Sequence, residues 1–326
     1  MNDARARTVL GDVPAGSLGL TDSHDHLFIH APAQRGVELD DPDDAARRAS
    51  DFHAAGGRTV VQWTPAGLGR RLDALARLSR ATGVHVVAAT GRHLARLYPP
   101  SHPVPSASRD QLVALFSRDV VVRSCGLIKL GAGPGGLDRY QRDHLEAAAE
   151  VALATGVTVS VHLDEGRSGP AVLDVLGTVG LPAGRVVLGH LGRNAAVPAV
   201  VEAAAAGAWV CLDAPAPGSG VPERALVARV EALTDHGLVG RLLLGSDTTT
   251  PAAAADGPHA ASLLERTAPM LTSAVGQDVV GAALRTNPRR AWALAERSPG
   301  GRPRGSARPS GAGESPRAGG CGRRRA

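Results

Sequence analysis

Lysine is almost absent from the sequence. The 326 residues include 36 lysines and arginines together, yet Lys129 is the single lysine. This bias indicates a coding background that favours arginine, in which a lysine used only as a surface charge is readily replaced. Lys129 lies in the stretch CGLIKLGAG. Its retention there reflects either chance or a function that a permanently protonated guanidinium cannot perform.

Cysteines and long apolar runs are also scarce. The three cysteines, Cys125, Cys211 and Cys321, are odd in number and far apart, which argues against a disulfide framework and favours a reducing compartment. No uninterrupted apolar stretch approaches the roughly 18 residues that cross a bilayer. The first residues, MNDARARTVLGD, lack the apolar run of a signal peptide. We therefore expect a cytoplasmic protein without a membrane partner.

Positive charge is concentrated in the last part of the chain. The net charge is +5, and residues 298–326 contain seven arginines and one glutamate, so residues 1–297 are close to neutral. The segment 298–326 has few apolar side chains that could form a core, and we predict that it is a disordered tail. Its arginines attract phosphate non-specifically, but it has no aromatic residue for base stacking. We expect no specific nucleic-acid partner.

Eight short apolar runs alternate with helical patterns in residues 1–297. Runs of aliphatic and β-branched residues predict strands, and two helical patterns, 69–83 and 143–156, end at Gly83 and Gly156. Because parallel strands need crossover helices, the alternation predicts an α/β protein, a (β/α)8 TIM barrel. An open doubly wound sheet is the alternative, but no GxGxxG or Walker loop follows the first strand. The predicted strands are 18–27, 58–64, 84–90, 125–131, 157–163, 185–190, 208–213 and 241–247.

Side chains of the kind that bind metals stand near the C-terminal ends of five predicted strands. In barrel enzymes these ends form the rim that carries the active site. His24 and His26 are two residues apart in the first strand, so their side chains point to the same side and can bind one metal ion. Each residue alone also has a purely structural explanation, but their common placement predicts a metal site. The predicted ligands are His24, His26, Lys129, His162, His190 and Asp247.

The segments around these residues resemble the phosphotriesterase family of the amidohydrolase superfamily. The resemblance runs from about Thr8 to about Leu294 and includes TVLGDVPAGSLGLTDSHDHL, CGLIKL, HLEAAAEVALATGVTVSVH, VVLGHLG, LLLGSD and NPRRAWAL in this order. It implies two divalent metal ions, usually zinc, at a binuclear centre. His24, His26 and Asp247 then bind one ion, and His162 and His190 bind the other. A carbamate formed from Lys129 and carbon dioxide bridges both ions.

The resemblance also implies a metal-dependent hydrolase that acts on ester bonds. Two ions about 3.5–4 Å apart share a bridging water and lower its pKa toward roughly 7. Lys129 and Asp247 are the expected catalytic residues, with Asp247 acting as both ligand and base. Lactones, carboxylic esters and organophosphate triesters are suitable small-molecule substrates. His93 and Tyr98, after the third strand, are candidates for substrate contact, and a homodimer is the common assembly of the family.

The sequence departs from the family pattern close to the predicted ligands. Arg193 and Asn194 stand where many members carry an acidic pair. Asp25 replaces the usual glutamate between the two histidines, and Ser246 stands where a histidine is common. Asp213, at the end of the seventh strand, is interpreted as a cap of the following loop. Two alternatives stay open: a mononuclear amidohydrolase acting on amide or ring C–N bonds, and a non-enzymatic scaffold whose arginine-rich tail binds nucleic acid.

Overall fold

The central element of the protein is a sheet of eight parallel strands. A computed structural model describes residues 4–192, 196–215 and 222–295. The strands follow one another in the sheet in chain order, and the sheet curves until its first and last strands lie side by side. This nearly closed sheet confirms the predicted (β/α)8 barrel. The described strands are β1 (Arg5–Thr8), β2 (Gly11–Pro14), β3 (Leu20–Asp25), β4 (Ile29–His30), β5 (Glu38–Leu39), β6 (Gly57–Gln62), β7 (His85–Arg92), β8 (Leu127–Ala132), β9 (Thr158–Leu163), β10 (Val186–Gly189), β11 (Trp209–Asp213) and β12 (Leu242–Gly245), of which β3 and β6 to β12 form the barrel.

Helices connect the barrel strands and pack against the sheet. The two helices predicted from apolar periodicity are α2 and α5, which are followed by Gly83 and Gly156 with φ angles of 72° and 80°, a conformation that glycine adopts at little cost. Among the described helices, none combines the length and apolar character needed to cross a bilayer. The helices are α1 (Pro42–Ala54), α2 (Leu72–Thr82), α3 (Pro103–Ser106), α4 (Arg109–Val121), α5 (Arg139–Thr155), α6 (Gly169–Thr178), α7 (Val197–Ala205), α8 (Glu223–Asp235), α9 (Pro251–Asp256), α10 (Ala260–Ser262), α11 (Ala268–Val275), α12 (Gln277–Gly281) and α13 (Asn287–Ala291).

Apolar side chains cover both faces of the barrel sheet. Val61, Val87 and Leu243 belong to the cluster inside the barrel, whereas neighbours such as Ile128 and Leu244 pack against the helices. A parallel sheet that is buried on both faces gives the continuous apolar runs by which its strands were predicted. The buried polar residues near the strand ends are therefore held in a closely packed frame.

Four strands, β3, β6, β10 and β12, end earlier than predicted, and after two of them the chain turns into a left-handed conformation. β10 ends at Gly189 and β12 at Gly245. His190 and Asp247, which follow them, have φ angles of 66° and 52°, in the left-handed region that residues other than glycine rarely adopt. Both side chains are thus carried by turns at the rim and not by the strands themselves.

Two antiparallel hairpins lie outside the barrel sheet and were not predicted. β1 pairs with β2, and β4 pairs with β5. Strands of two to four residues are too short to produce a periodic pattern in the sequence. The predicted tail, residues 298–326, and the predicted domain boundary at residue 297 lie outside the described residues.

Candidate active site

The predicted ligands from five different strands meet at one rim of the barrel. The ring centroids of His24 and His26 are 5.6 Å apart, those of His24 and His190 are 4.9 Å apart, and those of His162 and His190 are 4.1 Å apart. The structure places Lys129 and Asp247 in the wall of the same cavity as three of these histidines. The six side chains therefore form one cluster, although they are spread over more than two-thirds of the sequence. They are His24, His26, Lys129, His162, His190 and Asp247.

Three buried side chains, His24, His26 and Asp247, bring potential metal-ligand atoms close together. The Nε2 atoms of His24 and His26 each lie 3.2 Å from Oδ1 of Asp247, and one ligand atom from each residue lies within 4.8 Å of the others. Nε2 of His24 is buried and makes no hydrogen bond of acceptable geometry in the described part of the chain. Imidazole nitrogen and carboxylate oxygen are common zinc ligands. This group therefore fits a divalent metal ion.

Asp213 links two of the histidines. Its Oδ1 lies 2.7 Å from Nδ1 of His24, and its Oδ2 lies 2.9 Å from Nδ1 of His190. Although burial opposes ionisation, the two imidazoles hold the pKa of Asp213 below its usual range. A carboxylate at Nδ1 fixes the ring orientation and leaves Nε2 for a metal. The interpretation of Asp213 as a cap of the following loop stays a prediction, because residues 216–221 lie outside the described residues, but its carboxylate is placed to orient His24 and His190.

Residues after β6 support the first-strand histidines. Oγ1 of Thr64 lies 2.6 Å from Nδ1 of His26. The buried indole of Trp63 stacks on His24, with ring centroids 3.9 Å apart, and donates a hydrogen bond to the carbonyl oxygen of Ser23. Sequence analysis missed both contacts, because each depends on the side-by-side placement of β3 and β6 and neither residue is a typical metal ligand.

Lys129 is buried at the floor of the site. Only 2% of the residue is exposed, and burial lowers the pKa of its amine to about 7, although Asp247 acts in the opposite direction. Within the described residues the amine forms no ion pair. A substantial fraction of the amine is therefore neutral near neutral pH.

Burial also favours the neutral form of three imidazoles at the site. It lowers the pKa of His162 and His93 well below the usual histidine value, with a further contribution from neighbouring cations, and it lowers the pKa of His190 despite the opposing effect of Asp213. Neutral imidazole is the form that binds a metal. The electrostatics of the cluster therefore suit metal binding.

The six-residue cluster opens into a cavity of about 390 Å³. One wall is apolar and includes Ile29, Val37 and Leu68. At the rim, Nη2 of Arg96 lies 2.6 Å from Oδ2 of Asp164. The pKa of Asp164 is lowered to about 2, chiefly by its contact with His162, whose Nε2 lies 3.6 Å away.

The two predicted substrate contacts occupy different positions. His93 lines the cavity, and its ring centroid lies 4.6 Å from that of His162. The hydroxyl of Tyr98 accepts a hydrogen bond from the His93 amide and donates one to the carbonyl oxygen of Ala66, so Tyr98 supports the His93 backbone. Direct contact of either residue with substrate stays a prediction. Arg193 and Asn194 lie outside the described residues.

Comparisons with known proteins identify the relatives of this chain. The profile of the phosphotriesterase family matches residues 4–292. The phospho-furanose lactonase of Mycoplasmopsis synoviae (strain 53) is 29% identical over 276 residues, covering 76% of this chain and 77% of that one. The aryldialkylphosphatase of Saccharolobus solfataricus is 26% identical over 217 residues, covering 62% and 68%.

Structural comparison identifies the same barrel in a lactonase from Listeria monocytogenes. The TM-score is 0.84 at 21% identity, with 90% of this chain and 100% of that chain covered, and this similarity concerns the fold. The family profile spans the whole described barrel and includes all six residues of the cluster. The chain therefore belongs to the phosphotriesterase family.

Proposed function

We propose that the protein is a binuclear metal hydrolase that cleaves the ester bond of a lactone, a carboxylic ester or an organophosphate triester. Membership of the phosphotriesterase family supports ester hydrolysis. The observation that carries the proposal is the approach of two imidazole Nε2 atoms to one Asp247 oxygen, each at 3.2 Å. The same cavity exposes Lys129, His162 and His190, which supply ligands for a second ion.

With two metal ions, all six side chains of the cluster would serve as ligands. His24, His26 and Asp247 would hold the first ion, and His162 and His190 the second. Among the described residues, His162 belongs to no group of three histidine, cysteine, aspartate or glutamate side chains with convergent ligand atoms, so the second ion needs a ligand of another kind. Imidazole and carboxylate ligands suit zinc and also manganese, iron or cobalt, and we propose zinc because it is the usual metal of the family. When bound, the ions supply Lewis-acid activation of water and of the substrate oxygen.

Lys129 is the candidate for the additional ligand. Its neutral amine can add to carbon dioxide: the nitrogen lone pair forms an N–C bond, one C=O π bond becomes a C–O⁻ group, and the nitrogen gives up a proton to solvent water. The resulting carbamate has two oxygens and can contact two cations, whereas an arginine guanidinium stays protonated. Burial without an ion pair among the described residues supports this role.

Asp247 is proposed to accept a proton from the attacking water. Its Oδ1 faces His24 and His26, and its Oδ2 lies 3.7 Å from Nδ1 of His190. A general base must lie within hydrogen-bond reach of the proton that it removes. Because Asp247 lines the cavity next to the predicted ion positions, Oδ2 is the atom to which we assign the proton.

The cavity dimensions favour a compact substrate. A volume of about 390 Å³ lies at the lower end of the range for small-molecule sites. Apolar side chains on one side and the Arg96–Asp164 pair at the rim suit an ester with an apolar portion and a polar end. His93 is placed to contact such a substrate from the cavity wall.

Metal content and hydrolysis of paraoxon and a γ-lactone test the proposal, using the wild type, Lys129→Ala and Lys129→Arg. We expect two ions per wild-type chain and a loss of activity of about 100-fold or more in both variants, because removal of a metal ligand disrupts the centre. A short-chain carboxylate should partly restore Lys129→Ala by filling the vacated space. It should not restore Lys129→Arg, in which the larger side chain occupies that space.

The same measurements decide between the proposal and the mononuclear alternative. One ion per chain together with full activity of Lys129→Ala would mean that the lysine is not a ligand, and a mononuclear amidohydrolase would replace the binuclear enzyme. Wild-type protein that binds no divalent ion would contradict both.

A further inference from the structure

The first and last barrel strands, β3 and β12, lie side by side, and we call the contact between residues 22–25 and 245–248 the seam. The sheet order begins at β12 and ends at β3, and all other neighbouring barrel strands pair in parallel ladders, of which the one between β3 and β6 contains register shifts. Across the seam, the amides of Ser246 and Asp247 both donate to the carbonyl oxygen of His24, at 3.0 and 2.8 Å. A Cβ atom on Gly245 would lie 2.6 Å from the Cβ of His24. The two strands therefore approach closely at the catalytic rim.

A buried carboxylate of β3 extends this contact on one side of Asp247. The Ser246 hydroxyl donates to Oδ2 of Asp22 at 2.5 Å, and the Ser246 amide donates to Oδ1 of Asp22 at 3.2 Å. The His24 amide also donates to Oδ1 of Asp22, at 3.1 Å. Asp22 and Ser246 are fully buried, so water does not compete for these hydrogen bonds. Asp22 thus joins the first-strand histidine segment to the residue before Asp247.

A second carboxylate of β3 acts on the other side. The amide of Thr248 donates to Oδ1 of Asp25 at 2.9 Å, and the Thr248 hydroxyl donates to the carbonyl oxygen of Pro258 at 3.1 Å. Three successive amides, 246 to 248, therefore donate to residues of β3. Asp25 replaces the family's usual glutamate and Ser246 its usual histidine, so both departures contribute to this one network.

The network holds a backbone conformation that is unfavourable by itself. Asp247 has a φ angle of 52°, in the left-handed region where a non-glycine residue is strained and persists only when its surroundings hold it there. The hydrogen bonds on both sides of Asp247 impose this conformation. As a result Oδ1 of Asp247 stays 3.2 Å from Nε2 of His24 and of His26.

We infer that Asp22 and Asp25 are positioning residues that join the barrel seam and hold Asp247 in its left-handed conformation, so that its carboxylate meets the histidines of β3. The inference rests on the proposed function, in which Asp247 is a metal ligand and a base. Neither carboxylate is assigned a contact with substrate. Asp22 acts through the amide and the hydroxyl of Ser246, and Asp25 acts through the amide of Thr248.

Ser246→Ala, Asp25→Ala and Asp25→Asn test the inference, with Thr90→Val as the matched control. Thr90 of β7 also donates its hydroxyl to a buried aspartate, Asp119 of α4, at 2.8 Å, but it makes this contact with a helix and not across the seam. Three quantities are measured: deuterium exchange of the peptide 242–250 in metal-free protein, zinc affinity by competition with a chromophoric chelator, and kcat and KM for an ester that the wild type hydrolyses.

In Ser246→Ala and Asp25→Ala, we expect the amide hydrogens of residues 246–248 to exchange with deuterium about tenfold faster than in the wild type. Both variants should also bind zinc about tenfold more weakly, as expected when residues that support a metal ligand are lost. The kcat should fall while KM changes little. Asp25→Asn keeps an oxygen acceptor for the Thr248 amide and should stay near the wild type. Thr90→Val should leave zinc affinity and kcat unchanged.

Unchanged exchange and zinc affinity in both Ser246→Ala and Asp25→Ala would overturn the inference. A rise in exchange that is spread over all barrel strands would also overturn it, because it would show a general loss of stability. If the wild type neither binds zinc nor hydrolyses esters, the proposed function fails. Exchange in metal-free protein still reports separately whether these contacts hold residues 246–248.

Discussion

At the scale of single residues, Asp213 contacts two histidines of the site. One oxygen of its carboxylate faces His24 and the other faces His190, at 2.7 and 2.9 Å. In the proposed centre these histidines bind different ions. One side chain therefore sets the orientation of ligands in both halves of the centre.

Asp213→Ala is expected to weaken zinc binding by about 10–100-fold, the usual cost of losing a carboxylate that orients metal-binding histidines. Asp213→Asn should have a smaller effect, because its amide oxygen still accepts from one imidazole. Competition with a chelator measures both affinities. Asp119→Asn is the control, since Asp119 is equally buried but pairs with Arg70 in the helix layer. An affinity of Asp213→Ala equal to that of the wild type would contradict the orienting role.

At the scale of elements, the eight barrel strands were predictable and the short hairpins were not. A strand such as β8 is an apolar run buried on both faces, and this environment determines its composition. The hairpin of β4 and β5 depends on contacts between segments that leave no periodic pattern. The six proposed ligands were predictable because each stands near a strand end. The orienting role of Asp213 was not, because it depends on the lateral approach of β3, β10 and β11.

Because Gly245 lies close to His24 at the seam, we expect Gly245→Ala to destabilise the protein. The added methyl group would overlap His24, so the alanine should lower the free energy of unfolding by about 1–3 kcal/mol, as overpacking usually does. It should also weaken zinc binding by displacing His24. Gly177→Ala in α6 is the control: its Cβ would meet no atom within 4 Å, and alanine should raise stability by about 0.5–1 kcal/mol. Urea unfolding of metal-free protein gives both values.

At the scale of the whole molecule, the basic character of the protein and its chemistry belong to different parts of the chain. The site uses residues from His24 to Asp247, whereas the arginine excess lies in residues 298–326. The family profile ends at residue 292. The absence of a specific nucleic-acid partner, a homodimer and a cytoplasmic location stay predictions.

Removal of residues 298–326 is expected to leave the chemistry unchanged. The shortened protein should bind the same number of zinc ions and hydrolyse the same ester with a kcat/KM within about twofold of the full-length value, since all six proposed ligands and the family profile lie within residues 4–292. Metal analysis and steady-state kinetics check this. Loss of hydrolysis in a shortened protein that still folds would favour a functional role of the tail.

The seam also determines when the active site can first exist during synthesis. The histidines of β3 leave the ribosome early, but the residues that join them across the seam, Ser246, Asp247 and Thr248, follow β12. Until then, the exposed edge of β3 has no partner from the last strand, and the first-strand histidines lack their carboxylate. A chain that terminates before β12 therefore has an open sheet and lacks the Asp247 carboxylate of the proposed metal centre, however well its earlier βα units have folded.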